Sequence, residues 1–561
     1  GDRNIAIGST AGAAITTGQG SIAIGHQALA SATTGDDNIA IGADSPTVNA
    51  ALEANTTGVQ NVAIGGGALA ANTTADKNTA LGFQSLGKNT TANNNTAVGF
   101  QALYDNTTGA QNVAVGMFAL PNNTSAAYNT AVGYGAMEAN TTGASNTAIG
   151  GSALYSATTA SNNTAVGVEA MENTTVGYEN VAVGYKALEA NVDGRHAVAL
   201  GVEALKLQEP SSASSTYNTA VGPYCGAAIT TGIQNSLVGA FAGDALVGAS
   251  DNVAVGYSAL TTNVGGQNNV AVGPYALQNY NNSSGNDYNT AVGSNAGRDT
   301  TVGVSNTYVG GHAGLYTSTN SYTTFIGRSA GFGTSGSALT GNFNTAVGYE
   351  AGYKLITSAR TNTFLGTYAG YYNGSTSTAN GITTGTNNTC IGFAAYPSSA
   401  TVSDEITLGD GDVNNLRCND TSISSLSDER DKTNIVDVPL GLDFINTLRP
   451  VSFDWNRRDG KRKGTKDFGF IAQELKTAQD ATDYADHMRL VHAGTVLVPD
   501  AENTNPTEDE DGNPIKDVSG TTQECLEADP MKTYPVLVKA VQELSTALDA
   551  ALARIKVLEE G

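Results

Sequence analysis

Most of the chain is written in a five-residue phrase: a polar Asn, a β-branched or aliphatic residue, Ala, a second aliphatic residue, then Gly. Asn95-Thr96-Ala97-Val98-Gly99 is a complete copy. The closing glycine recurs at Gly82, Gly99, Gly116, Gly133, Gly150, Gly167, Gly184 and Gly201, 17 residues apart each time. Earlier copies end at Gly8, Gly25, Gly42 and Gly65; later ones run from Gly222 to a degenerate last copy at Gly409. A fixed short period marks a solenoid, in which each unit buries its apolar face only against its neighbours. Seventeen residues are too few for a pair of helices, and the leucine spacing of a leucine-rich repeat is missing. Within the phrase, Thr96 and Val98 share one face of a strand and Ala97 takes the other. The outer pair suits a pleated, half-buried surface. The alanine face implies close approach to another layer or another chain. The glycine permits a tight turn at positive φ.

A second apolar pair follows each strand, as in Ala102-Leu103, and then a polar turn, as in Asn106-Thr107-Thr108-Gly109. Each unit thus reads as one coil of a parallel β-solenoid, or β-roll, spanning 1–410. Stacking places Asn78, Asn95, Asn112 and Asn129 above one another, where side-chain amides form hydrogen-bonded ladders. Roughly two dozen coils at about 4.8 Å each give a rod on the order of 110 Å. Extra residues interrupt the period between Gly42 and Gly65, Gly201 and Gly222, Gly273 and Gly293, Gly327 and Gly348, and Gly366 and Gly392. Such insertions become surface loops, often on a binding face. The last carries Tyr371 and Tyr372, candidate contacts for a glycan, with Tyr308, Tyr349, Tyr353, Phe364 and Tyr368 on nearby copies. The plainer explanation is that large residues thicken the core there, and it is preferred.

The pattern changes near residue 410. The stretch 411–426 reads as a short β cap and linker. Beyond it, Val436, Val438, Leu442, Phe444, Ile445 and Leu448 form a compact apolar set, and 468–475 a second buried segment. An acidic loop, 500–517, turns at Asp511-Gly512 and lacks the ligand spacing of a calcium-binding hand. The final segment is helical: Pro535 suits a first turn. Leu537, Val541, Leu544, Leu548, Ala551, Ile555 and Leu558 alternate steps of four and three, a coiled-coil seam that needs partner helices. The expected architecture is therefore mainly β: a solenoid whose alanine face and C-terminal heptad seam call for partner chains, then a small α+β domain over 427–561 ending in a coiled-coil helix.

Composition removes several classes of function. The 561 residues carry 27 Lys+Arg against 51 Asp+Glu, a net charge of −24, and neither part is basic. Phosphate contacts need Lys and Arg, so nucleic acid is excluded as a partner. Cys225, Cys390, Cys418 and Cys525 have neither metal-site nor disulfide spacing, and no metal or cofactor is expected. Cys390 stands where other copies carry Ala, which makes it a small packed thiol. There is no apolar run long enough to span a bilayer and no signal peptide. The chain starts at Gly1, directly in a repeat, and reads as a piece whose attachment region, contacting other tail proteins, precedes it. The recurring Asn-x-Thr triplets match the glycosylation pattern, but their fixed place in the coil points to turn chemistry.

Four stretches carry a family likeness: SDERDK at 427–432, the Phe453 and Trp455 pair, GFIAQEL at 469–475 and YPVLVKAVQEL at 534–544. Together they resemble the self-cleaving C-terminal chaperone of phage tail spikes and fibres, of endosialidase type. The repeats also resemble the head of trimeric autotransporter adhesins, whose units are a few residues shorter. That second likeness implies a parallel β-roll wound as a homotrimer. The first implies cleavage at Leu426–Ser427, with Ser427 as nucleophile and Lys432 as its base. A serine needs such a base, and a lysine serves only with a lowered pKa. Ser427 and Asp428 could instead cap a helix starting near Glu429. The leading expectation is a tail-fibre shaft in the virion, binding a host-surface glycan receptor, whose chaperone fragment leaves after assembly by autoproteolysis. No turnover enzyme is expected in the repeats. The alternatives are a glycan-degrading tail spike, which needs paired carboxylates, and a bacterial surface adhesin, which needs an anchor. Glu138, Glu169, Glu172, Glu189 and Glu203 occur in the repeats, where exposure alone explains them.

Overall fold

The computed structural model describes residues 2–210, 212–282, 285–371, 382, 384–410, 413, 432–456, 464, 466–499, 507–508, 514–515, 520–528 and 533–560. It divides into two compact units, Gly1–Thr361 and Asn362–Gly561.

The first unit is a parallel β-solenoid. Each phrase contributes one three-residue strand, and successive strands pair parallel and in register: Thr96 lies beside Val113, Ala97 beside Ala114, Val98 beside Val115. The longer insertions leave that register intact, since Ile41 pairs with Ile64 and Leu200 with Val221. Three further rungs, Thr363–Leu365, Thr389–Ile391 and Ile406–Leu408, open the second unit, the first pairing with the second and the second with the third.

The strands decide between the two expectations for the alanine face, another layer or another chain, in favour of another layer of the same chain. The two flanking residues do share a face, but the alanine between them points into the coil. Ala97, Ala114 and Ala131 are fully buried, packed in the same layer as Leu103 and Leu120, whereas Val98 and Val115 are only half-buried. A 17-residue coil encloses two backbone layers so close together that one alanine and one leucine fill the gap. Alanine therefore marks the inside of one chain, and the β-branched row is what faces outward.

Two polar ladders hold the coils together. In the first, the expected one, Asn95 Oδ1 accepts the backbone N–H of Asn112 at 2.9 Å, and Asn95 Nδ2 donates to Gly109 O at 3.0 Å. The second was read only as turn chemistry: Asn106 Nδ2 donates to Asn89 Oδ1 at 3.0 Å and to Gly109 O at 2.8 Å. Both sets of amides are buried, so the Asn-x-Thr triplets hold an asparagine whose side chain is committed to the stack. Where the next coil offers Ala157 in place of Asn, Asn140 Oδ1 is left without a donor. The corner glycine has two reasons to be glycine. Gly133 sits at φ +136°, and a Cβ there would lie 2.5 Å from Gly150 O in the next coil. Non-glycine residues also turn left-handed at fixed points, among them Gln101, Leu103 and Gln111 at φ +52°, +54° and +60°. Each costs about 1–3 kcal/mol, which the repeated inter-coil hydrogen bonds offset.

The C-terminal part of the second unit is small. Helix α1 (Leu442–Ile445) precedes a short antiparallel ribbon, α2 (Ala472–Asp480) and α3 (Ala485–Met488) lie between it and a second one, and α4 runs from Tyr534 to Glu560. Phe444, Leu475, Met488, Leu490, Val491 and Val536 form one core. Val436 and Phe468, expected to be buried, are exposed, Phe468 by 84%. The acidic loop proves to contain a two-residue ribbon, Thr507–Glu508 with Pro514–Ile515. It lies between the partners of a nine-pair ladder, Val491–Pro499 with Gly520–Ala528, that the sequence pattern does not predict. The proposed cap within 411–426 falls almost wholly outside the described residues.

Candidate functional site

Three of the four stretches that carried the likeness are brought into contact or into neighbouring elements of this small core. GFIAQEL supplies Leu475 through α2, and the 534–544 segment supplies Val536 through α4. α1 docks on the start of α4, where Glu543 Oε2 accepts the Leu442 N–H at 2.8 Å. A Cβ at Gly441 would meet the Glu543 carboxylate, so a larger residue there would displace that side chain. Arg449 and Glu474 pair through both guanidinium and carboxylate branches, Nε to Oε2 at 3.0 Å. The arginine holds the Glu474 carboxyl below its ordinary value. Phe453, on the strand Val451–Asp454, and Trp455, just past its end, meet edge to face at 5.1 Å, and Trp455 Nε1 donates to Asp467 Oδ2 on the facing strand at 3.2 Å. The tryptophan is thus tethered to its own ribbon.

Of the cleavage residues, Lys432 is described and exposed. Leu426 and Ser427 lie outside the described residues, as do Arg430 and the alternative cap at Asp428. Of the candidate glycan contacts, Tyr371 is half-buried with its ring 6.0 Å from that of Tyr368, and Tyr372 lies outside the described residues. Tyr308 and Phe364 prove to be core residues, fully buried in the alanine position of their strands, as the plainer explanation had it.

The glutamates of the repeats are more organised than exposure alone suggests. Glu169, Glu172 and Glu189 bring their oxygens within 4.8 Å of one another. The Lys186 ammonium lies among them, 2.8 Å from Glu189 and 3.1 Å from Glu169. Their carboxylates hold the lysine above its ordinary pKa, while burial, with the two neighbouring charges, raises Glu172. The sequence period could have found this cluster, since Glu172 and Glu189 are one coil apart. A resident lysine offsets part of the charge, and the patch stays acidic in sum.

Along α4, burial is confined to Val536 and Ala540. The seam beyond them is bare: Leu544, Leu548, Ile555 and Leu558 are all exposed, Leu548 by 58%. No helix among the described residues is long and apolar enough to cross a membrane.

Comparison with known families places the C-terminal part. Residues 427–486 match the family described as chaperone of endosialidase. This segment is an endosialidase-type chaperone. The match contains the Phe453–Trp455 ribbon, α1, α2 and the first half of α3, and its first residue is the serine of the sequence reading. A parallel solenoid followed by such a chaperone makes the chain tail-fibre- or spike-like, and the chaperone family is associated with tails of phages and with trimer assembly. No curated protein and no solved structure matches the chain.

Proposed function

We propose that the chain is the shaft of a phage tail fibre, a homotrimer that attaches the virion to a host surface glycan and sheds its chaperone by self-cleavage. In this reading 1–410 is the shaft, 411–426 the cap and linker, and 427–561 the chaperone and autoprotease. The observation that carries it is the start of the chaperone match at Ser427, the point where the composition of the chain changes.

The chemistry follows from adjacency. Lys432 takes the proton of the Ser427 hydroxyl as its oxygen attacks the Leu426 carbonyl carbon. The C–N bond breaks, the proton passes to the departing nitrogen, and an ester joins the two segments. Water then hydrolyses the ester, leaving a Leu426 carboxylate and a free Ser427 amine. Nucleophile and bond are neighbours in one chain, which supplies a large effective molarity.

Two bare surfaces support the trimer. One is the α4 seam; the other is the outward row of the solenoid, where Leu81, Val98, Val115, Val132 and Ile149 stand in register, one per coil. An in-register aliphatic row this long is a surface for another copy, since monomeric proteins rarely expose such a patch. A glycan-degrading spike is disfavoured, because two of the three clustered repeat carboxylates, Glu169 and Glu189, are paired with Lys186.

Mass spectrometry of the purified product tests the cleavage. Wild type should give a 426-residue shaft and a fragment running from Ser427 to residue 561. Ser427→Ala and Lys432→Ala should each leave an assembled, uncut chain of 57.0 kDa. Processing of Ser427→Ala at the wild-type rate, with no protease added, refutes the mechanism.

A further inference from the structure

Both asparagine ladders give out together at one place in the shaft, between the coil ending at Gly201 and the coil ending at Gly222. At the first-ladder place every other coil up to Gly409 carries Asn, Ser, Thr or Glu, and this one carries Ala197. The ladder reaches Ala197, because Asn180 Oδ1 accepts its N–H at 2.9 Å. It goes no further: the next N–H, that of the fully buried Asn218, finds no acceptor among the described residues. In the second ladder Asn191 is followed by Gln208, whose Nε2 stands 3.5 Å from Asn191 Oδ1. The corresponding bond from Asn72 to Asn55 is 2.8 Å, and that from Asn89 to Asn72 is 3.1 Å. Gln208 Oε1 accepts from Asn218 Nδ2 inside its own coil, at 2.8 Å. Ile229 and Leu246, both apolar, take the next two places.

Further unpaired groups gather at the same turn. Asp193 Oδ1 and Arg195 Nε are buried without a hydrogen-bond partner, and among the described residues no other coil holds two such atoms. Glu209 Oε2 does cross the interface to accept the Val192 N–H at 2.7 Å. Burial, with the Asp193 charge beside it, pushes that carboxyl above its ordinary value. Half-exposed side chains add links nearer the surface, His196 Nδ1 with Ser215 Oγ at 2.9 Å and Lys206 with Glu189 at 3.9 Å. Water competes for these, so they do not stand in for two buried amide ladders. A buried donor or acceptor left unpaired is a cost that entering water removes, which makes opening cheaper here. The backbone does not set this interface apart. Leu188, Val198 and Gly222 donate across it at 3.0, 2.9 and 2.7 Å, and their counterparts Leu103, Val113 and Gly133 donate across a fully laddered one at 3.0, 2.8 and 2.8 Å. The difference lies in the ladders.

We infer that the interface between the coils ending at Gly201 and Gly222 is a joint built into the shaft: the solenoid parts here ahead of interfaces whose ladders are complete, and water enters to reach the Asn218 N–H, Asp193 and Arg195. A solenoid passes stability chiefly between neighbouring coils. One weak interface therefore divides the shaft into two stretches that open separately, and gives an otherwise interlocked rod a place to bend. The inference stands on the solenoid alone and does not depend on the attachment reading.

Native-state hydrogen exchange on the full chain tests it. In wild type the Leu188, Val198 and Gly222 amides should exchange about tenfold faster, or more, than those of Leu103, Val113 and Gly133. Ala197→Asn restores the ladder at a place where Asn180 and Asn218 already fit on either side, and should remove most of that difference. Ala197→Ser is the second variant, because Ser21 Oγ at the same place accepts the Asn38 N–H at 3.2 Å. It supplies the missing acceptor without the bulk of an amide and should slow the same three amides in part. Leu103, Val113 and Gly133 should keep their wild-type rates in both variants. Equal exchange of the two sets in wild type overturns the proposal. So does a difference that neither variant reduces, or a change spread evenly over the shaft in place of the local one.

Discussion

Replacing Asn112 by alanine tests the claim that the asparagine ladders hold the coils together. The Asn112 side chain makes two inter-coil bonds: Oδ1 accepts the Asn129 N–H at 2.9 Å, and Nδ2 donates to Ala126 O at 2.9 Å. Ala126 O keeps a second donor, Asn123 Nδ2 at 3.0 Å, so its loss is only a net bond of about 1 kcal/mol. The Asn129 N–H is different. It is fully buried and left with no acceptor, which costs about 1–3 kcal/mol. Asn112→Ala should therefore destabilise its coils by about 2–4 kcal/mol. Thr108→Ala, at an exposed turn position, should change little, within about 0.5 kcal/mol. Native-state hydrogen exchange on the full chain reads both. Because a solenoid transmits stability mainly between neighbours, lost protection should centre on residues 95–146 and fade by a few coils away. A loss no larger than that of Thr108→Ala, or one spread evenly over the shaft, would refute the reasoning.

Leu548→Glu places a charge on the bare α4 seam without touching the buried Val536–Ala540 end, and should lower the light-scattering mass of the uncut Ser427→Ala chain towards one protomer; an unchanged trimer would remove α4 from assembly. Thermal stability of the shaft should rise as pH falls from neutral towards the ordinary carboxylate range. Burial raises Glu172 in the folded state, so its contribution is complete below the unfolded pKa and lost as pH climbs through the folded one. Glu172→Gln should reduce that slope, and an unaltered slope would show the group to be irrelevant. Once the chaperone has left, the shaft should stay trimeric yet fail to refold after denaturant, a kinetically locked state; ready recovery of trimers from the cleaved shaft alone would dispense with the chaperone's role.

The period, the strands, the parallel stacking and the corner glycine were all legible in the sequence, because each depends on residue type at a fixed spacing. Inside and outside were not. Alternation shows that Thr96 and Val98 share a face and leaves open whether the alanine face meets another layer of the same chain or another chain. The deciding quantity is the width of the coil: a 17-residue turn leaves room for Ala97 and Leu103 and for nothing as large as two valines. The C-terminal part was less legible for a related reason. Phe444 and Leu475 could be recognised as core, but Phe468 and Val436 are as apolar as their buried neighbours and stay on the surface of one chain. The ladder Val491–Pro499 with Gly520–Ala528 has no apolar alternation to announce it, since Gln523, Glu524 and Glu527 interrupt its second strand. The expectation of cleavage rests only on the likeness, because a serine five residues before a lysine is by itself a common accident.

The large aromatics near the end of the shaft show how far a periodic code can bend. Tyr308 and Phe325 occupy the strand position that holds alanine elsewhere, and both are fully buried. An added ring in so thin a core would force the two layers apart, at about 1–3 kcal/mol for overpacking. The sequence compensates one turn of chain away. The position that is leucine in Leu103 and Leu120 becomes Gly314 and Gly331, each at a left-handed φ, +60° and +57°. A Cβ on Gly314 would fall 2.5 Å from the Tyr308 ring, and one on Gly331 would collide with Phe325. Ring and glycine thus replace alanine and leucine as a matched pair, filling the coil from the strand side instead of the corner side. The Tyr308 hydroxyl, which the ring carries into the interior, is satisfied by Asn320 Nδ2 at 2.9 Å. Cys225 and Cys390 obey the same volume rule as alanine-sized fillers, and burial pushes both thiols up to about 12, which leaves them protonated and inert. What is selected at each coil is a volume shared between two positions, so a strand residue and the corner residue six places later must be read together.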